Sequence, residues 1–205
     1  MSLFRNASFL ASAHHLTELP PPFGPEIVFA GRSNAGKSSA INTLAGHKGL
    51  AFVSKTPGRT QLINFFQIPG GGHLVDLPGY GYAKVPEAVR LHWENTLAQF
   101  LQTRTTLRGM ALIMDARHPL TPLDCNMIDW FLPSGRPIHV LLTKADKLSR
   151  QEALDTLRKA RARLQELGPQ LSAQLFSSLK KTGVDEAEVV FSKWLEMDEH
   201  KKAPD

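Results

Sequence analysis

The 205-residue sequence predicts an α/β fold: a mixed, mostly parallel six-stranded sheet with helices on both faces. Three observations carry this. Short apolar runs alternate with amphipathic segments along most of the chain, the pattern of strands joined by crossover helices. "GMALIMDA" and "RPIHVLLTKAD" are apolar with little alternation, as strands covered on both faces are. The motifs rich in glycine and aspartate fall just after strands, where open α/β sheets bind ligands.

Residues 1–25 end in "LPPPFGP", whose prolines exclude a regular helix or central strand. They are expected to form an extended arm laid on one domain of residues 26–197, with 198–205 a charged tail. "EIVFAG" reads as a strand running into a glycine-rich turn, and "KSSAINTLAG" as a helix that stops near Gly46. "LAFVSKTPGRT" carries Pro57-Gly58 and reads as a long loop. "QLINFFQI" and "HLVDL", joined by "PGGG", read as a hairpin. Val89, Trp93, Leu97, Phe100 and Leu101 recur at helical spacing in the next segment. After "GMALIMDA", "TPLDCNMIDWFL" is a helix with Thr121 as N-cap and Pro122 at its first position. "SRQEALDTLRKARARLQEL" is a helix capped by Ser149, with Leu154, Leu157, Leu164 and Leu167 as its apolar stripe. "AQLFSS" supplies the sixth strand and "GVDEAEVVFSKWLEM" the last helix.

No apolar run approaches the ~20 residues that cross a bilayer, and the first 15 residues lack the form of a secretory signal. A lone Cys125 excludes a disulfide framework and a cysteine metal cluster. Membrane insertion is not expected, and a cytoplasmic location is. Lys and Arg outnumber Asp and Glu by 24 to 19, an excess compatible with nucleic-acid-rich partners and with none.

"GRSNAGKS", residues 31–38, fits the pattern G-x-x-x-x-G-K-[ST] between a strand and a helix. Gly31 and Gly36 let the backbone curl its amides toward phosphate oxygens, and the helix N-terminus adds a favourable dipole. Lys37 reaches the outer phosphates, and the Ser38 hydroxyl is a Mg²⁺ ligand. Arg32, Ser33, Asn34, Ala35 and the adjoining Ser39 complete this candidate loop. The motif says nucleoside triphosphate without choosing the base.

"DLPG" follows the hairpin: Asp76 is a candidate Mg²⁺ holder, and the Gly79 amide a candidate contact of the γ-phosphate, with Leu77 and Pro78 between them. In "TKAD", Asp146 can accept from both the ring N–H and the exocyclic amine of guanine, a pair that adenine lacks. Thr143, Lys144 and Ala145 lead into it, with the Lys144 stem expected over the base. Ser177, Ser178 and Leu179 are candidates to bring backbone amides to the guanine carbonyl, and Phe176 beside them is a candidate nucleotide contact. In the loop, Gly58, Arg59, Thr60, Gln61 and Leu62 are candidate nucleotide contacts. Thr60 is the candidate second side-chain Mg²⁺ ligand, and Thr56 its alternative.

The ordered set resembles the translation-factor class of GTPases. "PEIVFAGRSNAGKSSAINTL", "KTPGRTQLINFF" and "LVDLPGYGYAKVP" together resemble the EngB (YihA/YsxC) group of bacterial GTPases, over about residues 7–196. The resemblance implies a monomeric P-loop GTPase, a G domain, that binds GTP and GDP with Mg²⁺. It also implies association with the large ribosomal subunit or its precursor during assembly, and a requirement for normal division and septation. One position departs from the general guanine motif: Thr143 stands where Asn is usual, and a hydroxyl is expected to brace the phosphate loop less well.

Small GTPases use a Gln after the D-x-x-G glycine to orient the attacking water. Tyr80 occupies that place here. Together with Tyr82 it reads as part of a moving switch pivoting at Gly81. Lys37, Thr60, Gly79 and Asn34 are the candidate catalytic residues. By resemblance, Asn34 is a candidate to hold K⁺ beside the phosphates; the other reading is a loop residue capping its own backbone. Arg32 and Arg59 are either charge stabilisers or partner contacts. The cluster Arg150, Arg158, Lys159, Arg161 and Arg163 is either a solvated helix face or a surface for rRNA. Two functions stay open at this point: a hydrolytic switch in large-subunit assembly, and a nucleotide-gated module acting directly in division.

Overall fold

Every strand–helix alternation expected from the apolar pattern is present in the computed structural model, which describes residues 4–51, 62–81 and 87–196, with the side chains of 87–90 and 92 excepted. The strands are β1 (Ser8–Ala13), β2 (Glu26–Gly31), β3 (Ile63–Gln67), β4 (His73–Asp76), β5 (Leu107–Asp115), β6 (Ile138–Thr143) and β7 (Leu171–Leu175). The helices are α1 (Lys37–Leu44), α2 (Glu87–Thr103), α3 (Pro122–Phe131), α4 (Arg150–Leu167) and α5 (Val184–Glu196). The strand order is β1-β3-β4-β2-β5-β6-β7. β3 and β4 form the expected antiparallel hairpin, and β4, β2, β5, β6 and β7 are parallel.

The sheet has seven strands, not six. The added strand comes from the arm: β1 pairs antiparallel with β3, with a register shift between Phe9 and Ala11. That bulge breaks the two-residue period and leaves both Phe9 and Leu10 exposed, so the segment carries no strand signature. The arm is also tied into the interior. Phe4 is fully buried and meets Phe29 and Phe191 edge-on.

The parallel strands divide their side chains between two cores. Val28, Met110, Leu112 and Val140 face α2, α3 and α4, while Ile27, Phe29, Ala111 and Ile113 face α1 and α5. Trp93, Leu97, Phe100 and Leu101 bury the inner face of α2, as their spacing predicts. Val89 lies outside the described side chains. Trp194 is buried too, whereas Trp130 is only partly covered.

Two caps are as expected. Ser149 accepts from the Glu152 amide at the start of α4, and Thr121 forms a reciprocal box with Asp124 at the start of α3. The stripe of α4 is corrected. Ala153, Ala160 and Leu164 are buried, whereas Leu154 is 48% exposed. Small residues let this helix lie close to the sheet, and Leu154 sits one position off the line 153–157–160–164.

Candidate functional site

The loop after β2 is shaped by two glycines for different reasons. A Cβ on Gly31 would come within 2.8 Å of the Ile113 carbonyl oxygen, so β2 packs on β5 too closely for any side chain. Gly36 sits at φ 98°, a backbone that side chains rarely adopt, and turns the chain into α1. Asn34 is also left-handed, at φ 64°, and exposed.

Around this loop lies a cleft of about 340 Å³ at the carboxyl ends of the parallel strands. Arg32, Ser33, Asn34, Gly36, Lys37, Ser38, Ser39, Leu62, Asp76, Leu77, Pro78, Gly79 and Lys144 line it, which brings three separate sequence motifs together. Lys37 Nζ bonds the buried Asp76 carboxylate, joining the first motif to the second across 39 residues. Gly31 and Ala35 lie behind the cleft wall, buried in the fold.

The third motif braces the first. Thr143, 2% exposed, places its Oγ1 2.5 Å from the Ala35 carbonyl and 3.0 Å from that of Met114. The hydroxyl that stands where Asn is usual thus reaches the loop backbone directly. Lys144, itself left-handed at φ 56°, donates from Nζ to the Asn34 carbonyl at 2.7 Å and to Asp115 Oδ2 at 2.9 Å. Its stem crosses the top of the loop beside Gly36.

Asp115, at the end of β5, was not among the sequence candidates. It accepts from the Arg117 amide (3.0 Å), from Arg117 Nε (2.9 Å) and Nη2 (2.7 Å), and from Lys144. Burial alone would raise its pKa, but the bonds from Arg117 and Lys144 prevail and hold the carboxyl well below the usual range. Its signal was an acid ending an apolar strand, the same signal that marks Asp76. Asn64 on β3 also lines the cleft and was missed among the apolar residues of "INFFQ".

At the base end, Asp146 Oδ1 accepts from Ser177 Oγ at 2.6 Å, and Ala145 N–H donates to the Phe176 carbonyl, joining the motifs after β6 and β7. Two details of the last motif are corrected. The Ser177 amide is already committed to the Thr182 carbonyl at 3.0 Å, closing a short loop, so Ser177 contributes by orienting Asp146. Phe176 is fully buried and donates its amide to Leu142, so it holds the strand end in the core. Ser178 is half-buried and Leu179 is 73% exposed beyond them. Thr56, Gly58, Arg59, Thr60, Gln61 and Tyr82 lie outside the described residues.

Tyr80 is the largest departure. Its carbonyl accepts from Ser33 N–H at 2.9 Å, and its amide donates to the Gly31 carbonyl at 3.4 Å. Its side chain packs against the core on the α2, α3 and α4 side of the sheet, with the hydroxyl donating to Asp124 Oδ1 at 3.0 Å. Burial, with the Asp124 charge adding to it, pushes the phenol far above its ordinary value. In this structure Tyr80 is anchored, not loose. Gly81 follows at φ 78°. Arg32 is held as well: Nε lies 3.3 Å from Asp124 Oδ1, and Nη2 donates to the His118 carbonyl.

A family described as "50S ribosome-binding GTPase" matches residues 26–144. A protein of Methylobacillus flagellatus named "Probable GTP-binding protein EngB" is 65% identical over 195 residues, covering 95% of this chain and 94% of its own. The chain belongs to the EngB family of GTP-binding proteins. A Neisseria meningitidis serogroup B EngB is 57% identical, covering 96% of this chain and 94% of its own. The solved structure of a probable EngB superposes with a TM-score of 0.65 at 20% identity, covering 84% of this chain and 99% of that one. Era from Aquifex aeolicus bound to GDP and AlF4⁻ also gives 0.65, at 21% identity, covering 84% of this chain and 57% of that one. These likenesses establish a GTPase domain with the P-loop fold. As a member of that family, the chain is a GTP-binding protein with a GTPase domain. None of the described helices is long and apolar enough to cross a membrane.

Proposed function

We propose that this EngB-family chain is a slow, Mg²⁺-dependent GTP hydrolase that works as a monomeric cytoplasmic switch in assembly of the large ribosomal subunit. It is also needed for normal cell division and septation. The observation that carries the enzymatic part is the joining of Lys37, Asp76, Thr143 and Lys144 around one phosphate-sized loop, with Asp146 oriented by Ser177 at the base end. The ribosomal part rests on the family's description and on the cationic excess.

The residues fit a hard cation. Asp76 is buried and already neutralised by an ammonium, and the Ser38 oxygen donor lines the same cleft. Ser38 and Asp76 would hold Mg²⁺, with Thr60 as a further ligand, and the bound ion supplies neutralisation of charge on the phosphate oxygens. Lys37 then exchanges Asp76 for the outer phosphates. Loop amides cradle the phosphates, and the Gly79 amide meets the γ-phosphate. Asp146 selects guanine. Asn34, exposed at the mouth of the cleft, would hold K⁺ in place of a stabilising side chain, so turnover rises when K⁺ replaces Na⁺.

The basic face of α4 lends limited support to rRNA contact. Arg158 pairs with Asp155 at 2.9 Å, Arg163 with Glu166 at 2.6 Å, and Arg161 lies 3.9 Å from Glu186. The deciding experiment is co-sedimentation with purified large subunits, with GTP turnover measured in K⁺ and in Na⁺. Retention with a GTP analogue but not GDP, and faster turnover on the subunit, are expected. Equal retention with both nucleotides would refute the switch.

A further inference from the structure

Asp124 is a charged side chain with no exposed surface, on a helix outside the nucleotide motifs. One of its oxygens serves the helix it sits on: Oδ2 accepts from the Thr121 amide at 3.0 Å and from Thr121 Oγ1 at 2.8 Å. That is ordinary capping and needs nothing more. The other oxygen faces the nucleotide loops. Oδ1 accepts from the Tyr80 hydroxyl at 3.0 Å and lies 3.3 Å from Arg32 Nε. Tyr80, which donates the hydrogen bond, and Arg32, which supplies the ion pair, belong to loops that line the cleft, one following Gly79 and the other inside the phosphate loop.

We propose that Asp124 is a positioning residue of the GTP site, holding the Gly79 turn against the phosphate loop through the Tyr80 hydroxyl. The connection is short and continuous. Tyr80 is pinned at its side chain by Asp124 and at its backbone by Gly31 and Ser33. Gly79 precedes it directly and packs so near Ser33 that an added Cβ would stand 3.3 Å from the Ser33 backbone. With Tyr80 fixed at both ends, the peptide carrying the Gly79 amide has little freedom to leave the phosphate side. An amide already placed costs less ordering when a γ-phosphate arrives. GDP has no γ-phosphate and draws no such benefit, so the bond acts as a selector between the two nucleotides.

The inference rests on the reading of Gly79 as the γ-phosphate contact. Its test compares affinities of the full chain for Mg²⁺ with a non-hydrolysable GTP analogue and for Mg²⁺ with GDP. Tyr80→Phe removes the hydroxyl and keeps the ring. The ratio of analogue to GDP affinity is expected to fall about tenfold, the scale of one hydrogen bond to a charged group. Asp124→Asn should lower the ratio in the same direction. The double variant should fall no further than the more affected single one, because both changes cut one link. A ratio within about twofold of wild type in Tyr80→Phe and Asp124→Asn, or an equal loss for both nucleotides, overturns the proposal. A purely structural role would lower the unfolding midpoint of the nucleotide-free protein and leave the ratio alone, which also overturns it. If the wild type binds neither nucleotide, the GTPase reading falls first; if it binds both and the variants match it, only this inference falls.

Discussion

Replacing Thr143 by Val tests whether the hydroxyl at this position braces the phosphate loop. The side chain is 2% exposed, and Oγ1 lies 2.5 Å from the Ala35 carbonyl and 3.0 Å from the Met114 carbonyl. A hydroxyl carries one proton, so it donates to one of the two at a time, and the shorter contact is to the loop. Val fills nearly the same volume, so the change removes a donor without opening a cavity and strands one buried acceptor. Leaving a buried carbonyl unsatisfied costs about 1–3 kcal/mol. At roughly 2–4 °C per kcal/mol for a chain of this size, the midpoint of thermal unfolding should drop by about 2–12 °C. The nucleotide-free protein is the right sample, since ligand binding would mask part of the loss. GTP and GDP affinities should fall together, because Ala35 belongs to the part of the loop that both nucleotides use. Thr143→Ser keeps the donor and should recover most of both effects. An unchanged midpoint with unchanged affinity for both nucleotides in Thr143→Val would show that the contact does not brace the loop.

Three further expectations follow from other parts of the fold. Asp146→Asn should move base preference from guanosine toward xanthosine nucleotides in competition binding, and retained GTP selectivity would remove Asp146 from its role. Arg104→Met should destabilise by about 3–5 kcal/mol in urea unfolding, because it leaves a fully buried Glu26 without its paired guanidinium; adding Glu26→Gln should restore much of the loss. Asp115 is held ionised by Arg117 and Lys144, so its folded pKa lies below its unfolded one and its stabilisation is present at neutral pH. That stabilisation is lost as pH falls below the ordinary carboxylate value, so the gap in stability between wild type and Asp115→Asn should hold above pH about 5 and shrink below about 4. A gap independent of pH would contradict it.

The legible part of the molecule is the part governed by short-range rules. The strand–loop–helix around Gly36 was readable because glycines, a lysine and a serine must stand at fixed spacing. The caps at Thr121 and Ser149 were readable for the same reason. What escaped depends on contacts between segments far apart in the chain. β1 was hidden by a bulge that spoils its alternation. Leu154 was placed inward because one leucine in a helical stripe looks like another, whereas the sheet selects Ala153 and Ala160 for close approach. The Ser177 amide was assigned to a ligand because nothing local tells that Thr182 folds back to take it. Asp115 and Asp124 were each visible as an acid at a strand end or helix start, but their partners stand 29 and 44 residues away.

The same separation bears on how hydrolysis can proceed. A glutamine after the D-x-x-G glycine acts because its amide is free to swing over the γ-phosphate. Tyr80 differs in more than lacking an amide. Its hydroxyl is spent on a carboxylate with no exposed surface, its ring is packed against the core on the α2, α3 and α4 side of the sheet, and burial pushes its phenol far above the ordinary value. To reach the water it would have to break the bond to Asp124 and leave that oxygen to Arg32 alone. Burial of the carboxylate makes that costly. The water-orienting group therefore has to come from somewhere other than residue 80. Within the proposed function, the sources are an ion at Asn34, the loop carrying Thr60, or a group delivered by the ribosomal partner. Under the proposed function, a side chain tied back in this way predicts a low rate alone and a rate set by what the protein binds, which is how a timing switch differs from a simple hydrolase.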